Sequence, residues 1–137
     1  IRTLVRAGAV VIACGGGGIP VISADVGTVC GVEGVIDKDY ASALLASDIG
    51  ADVFVVATAV DRVALNYGKP NQVQLDHLTA DEARAYLAEG QFPEGSMGPK
   101  VRAALQYLER GGQEVIITSP EQLRLAFRGC SGTRITV

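Results

Sequence analysis

The sequence predicts an α/β fold in which a mostly parallel sheet is covered by helices on both faces. Short apolar runs alternate with amphipathic or well-capped helical segments along the chain, and glycine-rich turns separate them. The 137 residues fit one domain of ordinary size, without a linker, repeat or low-complexity tract to divide it. In sheets of this kind, ligands bind where the parallel strands end, at their carboxyl edge.

The first third of the chain predicts a strand, a glycine loop and a helix. Residues 1–8 indicate the end of a helix stopped by a glycine, and the β-branched, apolar run at 9–14 predicts a buried strand. Four consecutive glycines at 15–18 predict a loop, and Asp37 predicts the N-cap of a helix over 38–49. Between loop and helix the sequence predicts a short extended piece at 19–22, an irregular glycine-rich stretch at 26–33 and a short strand at 34–36.

Capping residues and apolar runs mark the remaining elements. Thr79, with Glu82 three residues later, predicts a capping box at the start of a helix over 80–88. The other predicted elements are a buried strand at 53–57, a hairpin that starts at 63–65 and turns at 67–71, a helix with Pro99 in its first turn that runs to about Arg110, a buried strand at 114–118, a helix from Ser119-Pro120 to near Gly129, and a closing strand at 132–137.

Composition and charge exclude several classes of protein. The content of 48% hydrophobic and 20% charged residues fits a soluble globular chain rather than a disordered one. A net charge of −3 gives no indication of a nucleic-acid or anionic-membrane partner, and no apolar run approaches the ~20 residues of a membrane span. Three scattered cysteines and one histidine predict reduced thiols in a cytoplasmic protein and no transition-metal site. Because Met97 is the only methionine, we expect the chain to be a piece of a longer polypeptide.

Three segments at strand ends or helix starts have the composition of a phosphate site. The glycines at 15–18 allow successive backbone amides to cradle an anion. Residues 37–39 (Asp-Lys-Asp) and 95–100 (Gly-Ser-Met-Gly-Pro-Lys) each place a lysine in the first turn of a helix, which the helix dipole disfavours unless an anion lies nearby. Phosphoryl transfer needs this kind of positive charge and little covalent help, so the pattern predicts phosphate chemistry.

Each segment also has a purely structural explanation, as a flexible turn, a solvated helix start or an ordinary connection between helices. The glycine run does not match the P-loop, which ends in Gly-Lys-Ser or Gly-Lys-Thr. It does not match the dinucleotide-binding fingerprint either, because Pro20 stands where the third glycine belongs.

In their order and spacing these segments resemble carbamate kinase, a branch of the amino acid kinase superfamily. The resemblance extends over residues 9–137 and is carried by the segments VIACGGGGIPV at 11–21, GVIDKD at 34–39, NYGKP at 66–70 and GSMGPK at 95–100. It implies a three-layer αβα fold of which this chain is the C-terminal, nucleotide-binding part. The sequence departs from the family pattern at Cys14, where serine is more usual, and at Ala59, where an acidic residue is frequent.

The resemblance implies reversible phosphoryl transfer between carbamoyl phosphate and ADP, giving ATP and carbamate, with magnesium held mainly by the nucleotide. It implies that Lys38 contacts the transferring phosphoryl group, that Asp39 orients the catalytic lysines and that Lys100 neutralises the phosphoryl oxygens. It also implies a homodimeric, cytoplasmic parent enzyme, for example one of arginine metabolism. The residues implied to bind phosphate or nucleotide are Gly15, Gly16, Gly17, Gly18, Ala57, Thr58, Val60, Asp61, Tyr67, Met97 and Gly98.

Three other functions compete with this interpretation. A non-catalytic nucleotide-binding or regulatory domain of the same fold would not need Lys38, Asp39 and Lys100 together. A uridylate or acetylglutamate kinase fits the GSMGPK segment less well, and Pro20 disfavours a dinucleotide-binding dehydrogenase. The family's N-terminal portion supplies most of the carbamoyl phosphate pocket and another lysine, so we expect this chain alone to bind nucleotide weakly and to have no useful kinase rate.

Overall fold

The computed structural model describes residues 1–25 and 27–137 and contains a four-stranded mixed sheet flanked by helices. The sheet has the strand order β3-β7-β8-β6, and two separate hairpins, β1-β2 and β4-β5, lie outside it. The elements in chain order are α1 (Arg2–Arg6), β1 (Val21–Asp25), β2 (Thr28–Gly31), α2 (Lys38–Ile49), β3 (Val53–Ala57), β4 (Ala64–Leu65), β5 (Val73–Gln74), β6 (His77–Thr79), α3 (Ala80–Ala88), α4 (Met97–Glu109), β7 (Glu114–Thr118), a short 3₁₀ turn (Pro120–Gln122), α5 (Leu123–Phe127) and β8 (Thr133–Thr136).

Two of the three strand pairings in the main sheet are parallel. Strand β3 runs parallel to β7, with Val53 opposite Glu114, and β6 runs parallel to β8. Strand β8 runs antiparallel to β7, because the predicted closing strand returns along the sheet after α5. Strands β3 and β7 therefore end at the same edge, which is where a parallel sheet presents its ligands.

Helices α2, α3 and α4 cover one face of the sheet and enclose the main core. Helix α4 contributes the largest set of buried side chains, because its apolar residues recur at helical spacing and face β3 and β7. Val115 and Ile117 of β7 point into this core, whereas Ile116 points to the opposite face, where it lies close to Ala126 of α5. Strand β7 is thus buried on both sides, as a central strand in a sheet with two covered faces must be.

The local capping signals place the helix boundaries where the sequence predicts them. The Asp37 side chain accepts a hydrogen bond from the Asp39 amide at 2.7 Å, and α2 ends at Gly50. At α3 both halves of the capping box are present, with Thr79 and Glu82 bonding to each other's backbone amides. The hydrogen bond from the Thr79 amide lowers the pKa of the Glu82 carboxyl below its usual value. Helix α4 begins at Met97 and has its C-cap at Arg110, so Pro99 lies in its first turn as predicted.

The predicted buried strand at 9–14 is wrong for this structure. Val10 and Ile12 are 97% and 98% exposed, and neither forms a backbone hydrogen bond to another described residue. A β-branched apolar run fixes a preference for extended backbone, but a strand also needs a neighbour to pair with, and residues 1–25 and 27–137 provide none here. The segment connects α1, which contacts the end of α2 through Arg2 and Asp48, to the glycine loop.

The region between the glycine loop and α2 is also more regular than predicted. The expected extended piece at 19–22 becomes β1, and it forms an antiparallel hairpin with β2. The irregular stretch predicted at 26–33 starts at Val26, which lies outside the described residues, but Thr28–Gly31 within it is a strand. The short strand predicted at 34–36 is absent, and these residues instead run as irregular backbone against the glycine loop.

The single helix predicted from Ser119-Pro120 to near Gly129 is divided into the 3₁₀ turn and α5, and the other predictions agree with the structure. Strands β3 and β7 match their predicted bounds, and β4 and β5 form the hairpin expected around the turn at 67–71. Within the described part of the chain, no helix combines the length and the apolar composition required to cross a bilayer.

We expect Gly112→Ala to destabilise the fold strongly, because a methyl group there has no room. A Cβ at this position would lie 2.2 Å from the ring of Tyr107, which is itself fully buried and donates a 2.5 Å hydrogen bond to the Ala51 carbonyl. Overpacking of this kind typically costs about 1–3 kcal/mol. Chemical denaturation measures the loss, and Gly95→Ala, where a Cβ would meet nothing within 4 Å, is the matched control. Equal stability of the two variants would contradict the expectation.

Candidate phosphate and nucleotide site

The glycine loop lies directly against the residues that precede α2. A Cβ built on Gly17 would be 2.1 Å from the Ile36 carbonyl oxygen and 3.4 Å from the Lys38 amide, so only glycine permits this approach. Residues Gly16, Gly17 and Gly18 line an open concavity together with Gly34 and the two residues that follow it. The Asp-Lys-Asp segment and the glycine loop are therefore neighbours, although about twenty residues separate them in sequence.

The loop retains free backbone donors on this concave surface. The Gly17 amide donates to the Cys14 carbonyl at 2.8 Å and so closes a tight turn. The amides of Gly16 and Gly18 have no protein acceptor among the described residues. Adjacent unpaired amides at a glycine turn are suited to hold an anion such as a phosphate.

An ion pair joins the starts of the two central helices. Lys100, in the first turn of α4, donates to a carboxylate oxygen of Asp39, in the first turn of α2, at 2.9 Å. Both side chains are largely removed from solvent, with 14% and 12% of their surfaces exposed. The Lys100 ammonium is consequently held in one place, which a lysine on an open surface would not be.

Asp39 was expected to orient both lysines, but among the described residues it forms an ion pair with Lys100 and none with Lys38. Lys38 is the first residue of α2 and is exposed, and within the described residues it forms neither an ion pair nor a side-chain hydrogen bond. Its amide lies next to Gly17, so its backbone is fixed while its ammonium group is free to meet a ligand. The structure thus brings Asp39 and Lys100 into contact, and it leaves Lys38 beside them without a protein partner.

A cavity of about 240 Å³ opens beside the first turn of α4. Thr58 and Val60, which follow β3, form one side, and Met97 of α4 forms another. The complete lining consists of Thr58, Ala59, Val60, Arg62, Ala64, Tyr67, Phe92, Pro93, Ser96 and Met97. A mostly apolar cleft with a few polar groups at its rim is the usual form of a small-molecule site.

Four of the residues predicted to bind nucleotide line this cavity, and the others have different positions. Thr58, Val60, Tyr67 and Met97 belong to the lining. Ala57 is exposed at the end of β3, and Asp61 accepts a 2.6 Å hydrogen bond from the buried Ser119 hydroxyl. Gly98 is buried against the carbonyl oxygens of the residues before α4, and Gly15 stands at a positive φ outside the concavity.

Sequence reasoning missed five lining residues, namely Arg62, Ala64, Phe92, Pro93 and Ser96, whereas Ala59 belongs to the stretch at 57–61 that was expected to shape the nucleotide pocket. Three of them belong to residues 92–97, which we call the wall segment because it forms one side of the cavity. The Phe92-Pro93 pair, which only Glu94 separates from the GSMGPK segment, was an available signal, since an apolar residue beside a functional turn often packs under it. Arg62 lines another part of the cavity, and its Nε atom forms an ion pair with Asp76 at 2.5 Å.

The wall segment is held at its middle by a second ion pair. Arg102 donates to both carboxylate oxygens of Glu94, at 2.6 and 2.5 Å. These hydrogen bonds hold the pKa of the Glu94 carboxyl below its usual value, so the pair is ionised at neutral pH. This contact was not predicted from the sequence.

The helix-start amides near the cavity are partly used within the protein. The Gly98 amide donates to the Pro93 carbonyl at 2.9 Å, and the Asp39 amide donates to Asp37. The groups left to meet an anion here are therefore the lysine side chains and the glycine loop. The site thus combines the held ammonium group of Lys100, the free ammonium group of Lys38, the unpaired amides of the glycine loop and an apolar cleft. This combination suits a phosphorylated ligand with a ring at its far end.

The fold and this site place the chain in a known class of protein. The chain belongs to the amino acid kinase family, whose sequence model matches residues 1–119. Within that family it is 50% identical over 135 residues to the carbamate kinase-like protein YahI of Escherichia coli, and 49% identical over 135 residues to the carbamate kinase of Halobacterium salinarum. These matches include 98% of this chain but only 43% and 44% of those relatives, so the chain spans less than half of their length.

A solved structure of a carbamate kinase supports the same assignment. The carbamate kinase of Giardia lamblia bound to AMP-PNP superimposes with a TM-score of 0.92 at 39% identity, over 98% of this chain and 42% of that one. The resemblance to carbamate kinase and the amino acid kinase fold, both predicted from the motifs, are therefore confirmed.

Proposed function

We propose that this chain is the nucleotide-binding part of a carbamate kinase-type phosphotransferase that moves a phosphoryl group reversibly between carbamoyl phosphate and ADP. The contact between Asp39 and Lys100 carries the proposal, because it fixes an ammonium group beside the cavity. Lys100 follows Met97, a cavity residue, by three positions, which is about one helical turn. The relatives named carbamate kinase and the AMP-PNP complex of one of them support the same reaction class.

In this proposal the nucleotide lies along a continuous line of residues. The adenine ring occupies the cavity beside Tyr67 and Met97, and the phosphates extend past the start of α4 toward Lys100. Lys38 and the free amides of the glycine loop then face the transferring phosphoryl group from the other side of Asp39. Positive groups on both sides match a transition state in which negative charge spreads over the phosphoryl oxygens.

The chemical step requires no general base from these residues. The bond between phosphorus and the carbamate oxygen breaks as a terminal oxygen of ADP forms its bond to the same phosphorus, which yields carbamate and ATP. Because ADP already carries that oxygen ionised, no proton has to move in the transfer itself. The contribution of the protein is positioning and charge stabilisation, which is the general pattern for phosphoryl transfer.

Magnesium in this proposal is held mainly by the nucleotide phosphates. The carboxylates near the site are already engaged, Asp39 by Lys100, Asp61 by Ser119 and Asp37 by a backbone amide. Among the described residues no cluster of three or more candidate metal ligands is present. Mg²⁺ commonly keeps several waters and relies on phosphate oxygens when it binds with a nucleotide, and the residues present fit that arrangement.

We expect the 137-residue chain by itself to bind ADP weakly and to make no ATP from carbamoyl phosphate. The chain covers less than half of its relatives, so the groups that would hold carbamoyl phosphate in line are not all expected within it. Calorimetric titration with MgADP measures the binding, and a coupled ATP-forming assay measures the turnover. Robust turnover by the isolated chain would overturn this expectation.

A chimera tests the proposed reaction directly. Residues 1–137 would replace the matching 44% of the Halobacterium salinarum carbamate kinase, so that the remainder of that enzyme supplies the rest of the active site. We expect carbamoyl phosphate-dependent ATP formation well above that of either part alone. A chimera that binds ADP without turnover would instead support the non-catalytic, nucleotide-binding alternative, and one that binds no nucleotide would refute both.

A further inference from the structure

The wall segment has few contacts that hold it in place. Phe92 is buried, and its ring packs edge-on against Tyr86 of α3 at a centroid distance of 6.5 Å. The next four residues, 93–96, are exposed, and Met97 begins α4. Apart from the Pro93 carbonyl, which accepts from the amides of Ser96 and Gly98, this exposed stretch has one side-chain anchor among the described residues, the carboxylate of Glu94.

The geometry of that anchor is specific. Arg102 lies on α4 and reaches back over Gly98 to Glu94, and a Cβ on Gly98 would be only 3.5 Å from its Nη1 atom. Two parallel hydrogen bonds between a guanidinium and a carboxylate fix direction as well as distance. At Gly98 the tighter limit is the backbone, since a Cβ would lie 3.1 Å from the Pro93 carbonyl oxygen and 3.2 Å from that of Phe92. The glycine therefore lets the wall segment approach the start of α4 closely, which explains it by packing rather than by contact with a ligand.

We propose that Arg102 is a positioning residue for nucleotide binding, which acts through Glu94 to hold the wall segment against the cavity. The inference rests on the proposed function, since it assigns the cavity to the nucleotide. Arg102 itself does not line the cavity, and the residues of the wall segment that do are Phe92, Pro93, Ser96 and Met97. Most exposed ion pairs contribute little to stability, but a bidentate pair on an otherwise loosely held segment can set the position of that segment.

The test compares Arg102→Gln with Arg84→Gln in the 137-residue chain and in the chimera. Arg84 pairs with Glu109 at 3.0 Å on the surface away from the nucleotide cavity, so it controls for the general loss of an arginine–glutamate pair. We expect Arg102→Gln to weaken MgADP binding about three- to tenfold, with thermal stability changed no more than by Arg84→Gln. In the chimera we expect the KM for ADP to rise by a similar factor, and kcat and the KM for carbamoyl phosphate to change less than about twofold.

The charge-swapped double variant Glu94→Arg/Arg102→Glu distinguishes the ion pair from its individual members. Restoration of ADP affinity to within about twofold of the parent chain supports the proposal. Unchanged ADP affinity in Arg102→Gln, an equal loss in Arg84→Gln, or a loss of kcat in place of affinity would each overturn it. If the parent chain binds no nucleotide, the proposed function fails first; if it binds and Arg102→Gln binds equally well, only this inference fails.

Discussion

Replacing Lys100 with methionine is expected to lower the kcat of the chimera by about 100- to 1,000-fold while changing ADP affinity much less. The Lys100 ammonium is nearly removed from solvent and held by Asp39, so under the proposed function it would meet the transferring phosphoryl group without having to be ordered during the reaction. Its charge matters most in the transition state, when the phosphoryl oxygens carry the spread negative charge. Steady-state kinetics with carbamoyl phosphate and ADP measures both quantities.

A double-variant series separates the loss of the Lys100 charge from the effect of an unpaired Asp39 carboxylate. Lys100→Met also leaves the Asp39 carboxylate buried without a partner, and that carboxylate would repel the phosphates. Addition of Asp39→Asn to Lys100→Met should therefore recover part of the lost ADP affinity but little of the lost kcat. Arg110→Met removes an exposed positive charge from the other end of the same helix and should have almost no effect. Wild-type turnover in Lys100→Met would exclude Lys100 from the site.

The parts of the fold that were predictable from sequence are those that local chemistry determines. The capping box of Thr79 and Glu82 and the N-cap at Asp37 satisfy backbone amides within three residues, so the bounds of α2 and α3 agree with the prediction. Strands β3 and β7 were predictable because each is a short apolar run that a central sheet position can bury. Helix α4 begins at Met97, so Pro99 occupies its first turn, where the fixed φ of proline is tolerated.

The failed predictions depend on neighbours that the local sequence does not specify. Residues 9–14 have the composition of a buried strand, yet their side chains are exposed because no described strand pairs with them. The hairpin of β1 and β2 was missed because its glycines suggested irregular backbone, although its strands satisfy each other's hydrogen bonds. A strand forms its backbone hydrogen bonds with a neighbouring strand, whereas a helix forms them within itself. Strands are therefore harder to predict from local sequence than helices.

The candidate site likewise contains contacts that sequence motifs predict and contacts that they do not. The contact between Asp39 and Lys100 joins residues 61 positions apart, and it was expected only because both segments have the composition of a phosphate site and resemble one family. The pair of Glu94 and Arg102 has no such signal, since glutamates and arginines are common on any protein surface. The five missed cavity residues likewise contribute through shape, which a motif does not encode.

Gly17→Ala is expected to abolish measurable ADP binding in the 137-residue chain and most of the turnover of the chimera. The new methyl group would overlap the Ile36 carbonyl oxygen, and the φ of +141° at Gly17 is a conformation that residues with a side chain rarely adopt. Either the glycine loop must withdraw from the Asp-Lys-Asp segment or that segment must move, and in both cases the free amides no longer face Lys38. Backbone rearrangement of this kind costs on the order of 1–3 kcal/mol.

Gly16→Ala is the matched control, because a Cβ at Gly16 would meet nothing within 4 Å and its φ is not in the positive range. We expect ADP affinity of Gly16→Ala to stay within about threefold of the parent chain, since its amide remains available to an anion. Amide NMR shifts of Lys38 and Asp39 report whether the α2 start has moved, and they should change in Gly17→Ala but not in Gly16→Ala. If Gly17→Ala shifted those amides and still bound ADP normally, the glycine loop would have no part in holding the phosphates, and Lys38 and Lys100 would have to supply that function alone.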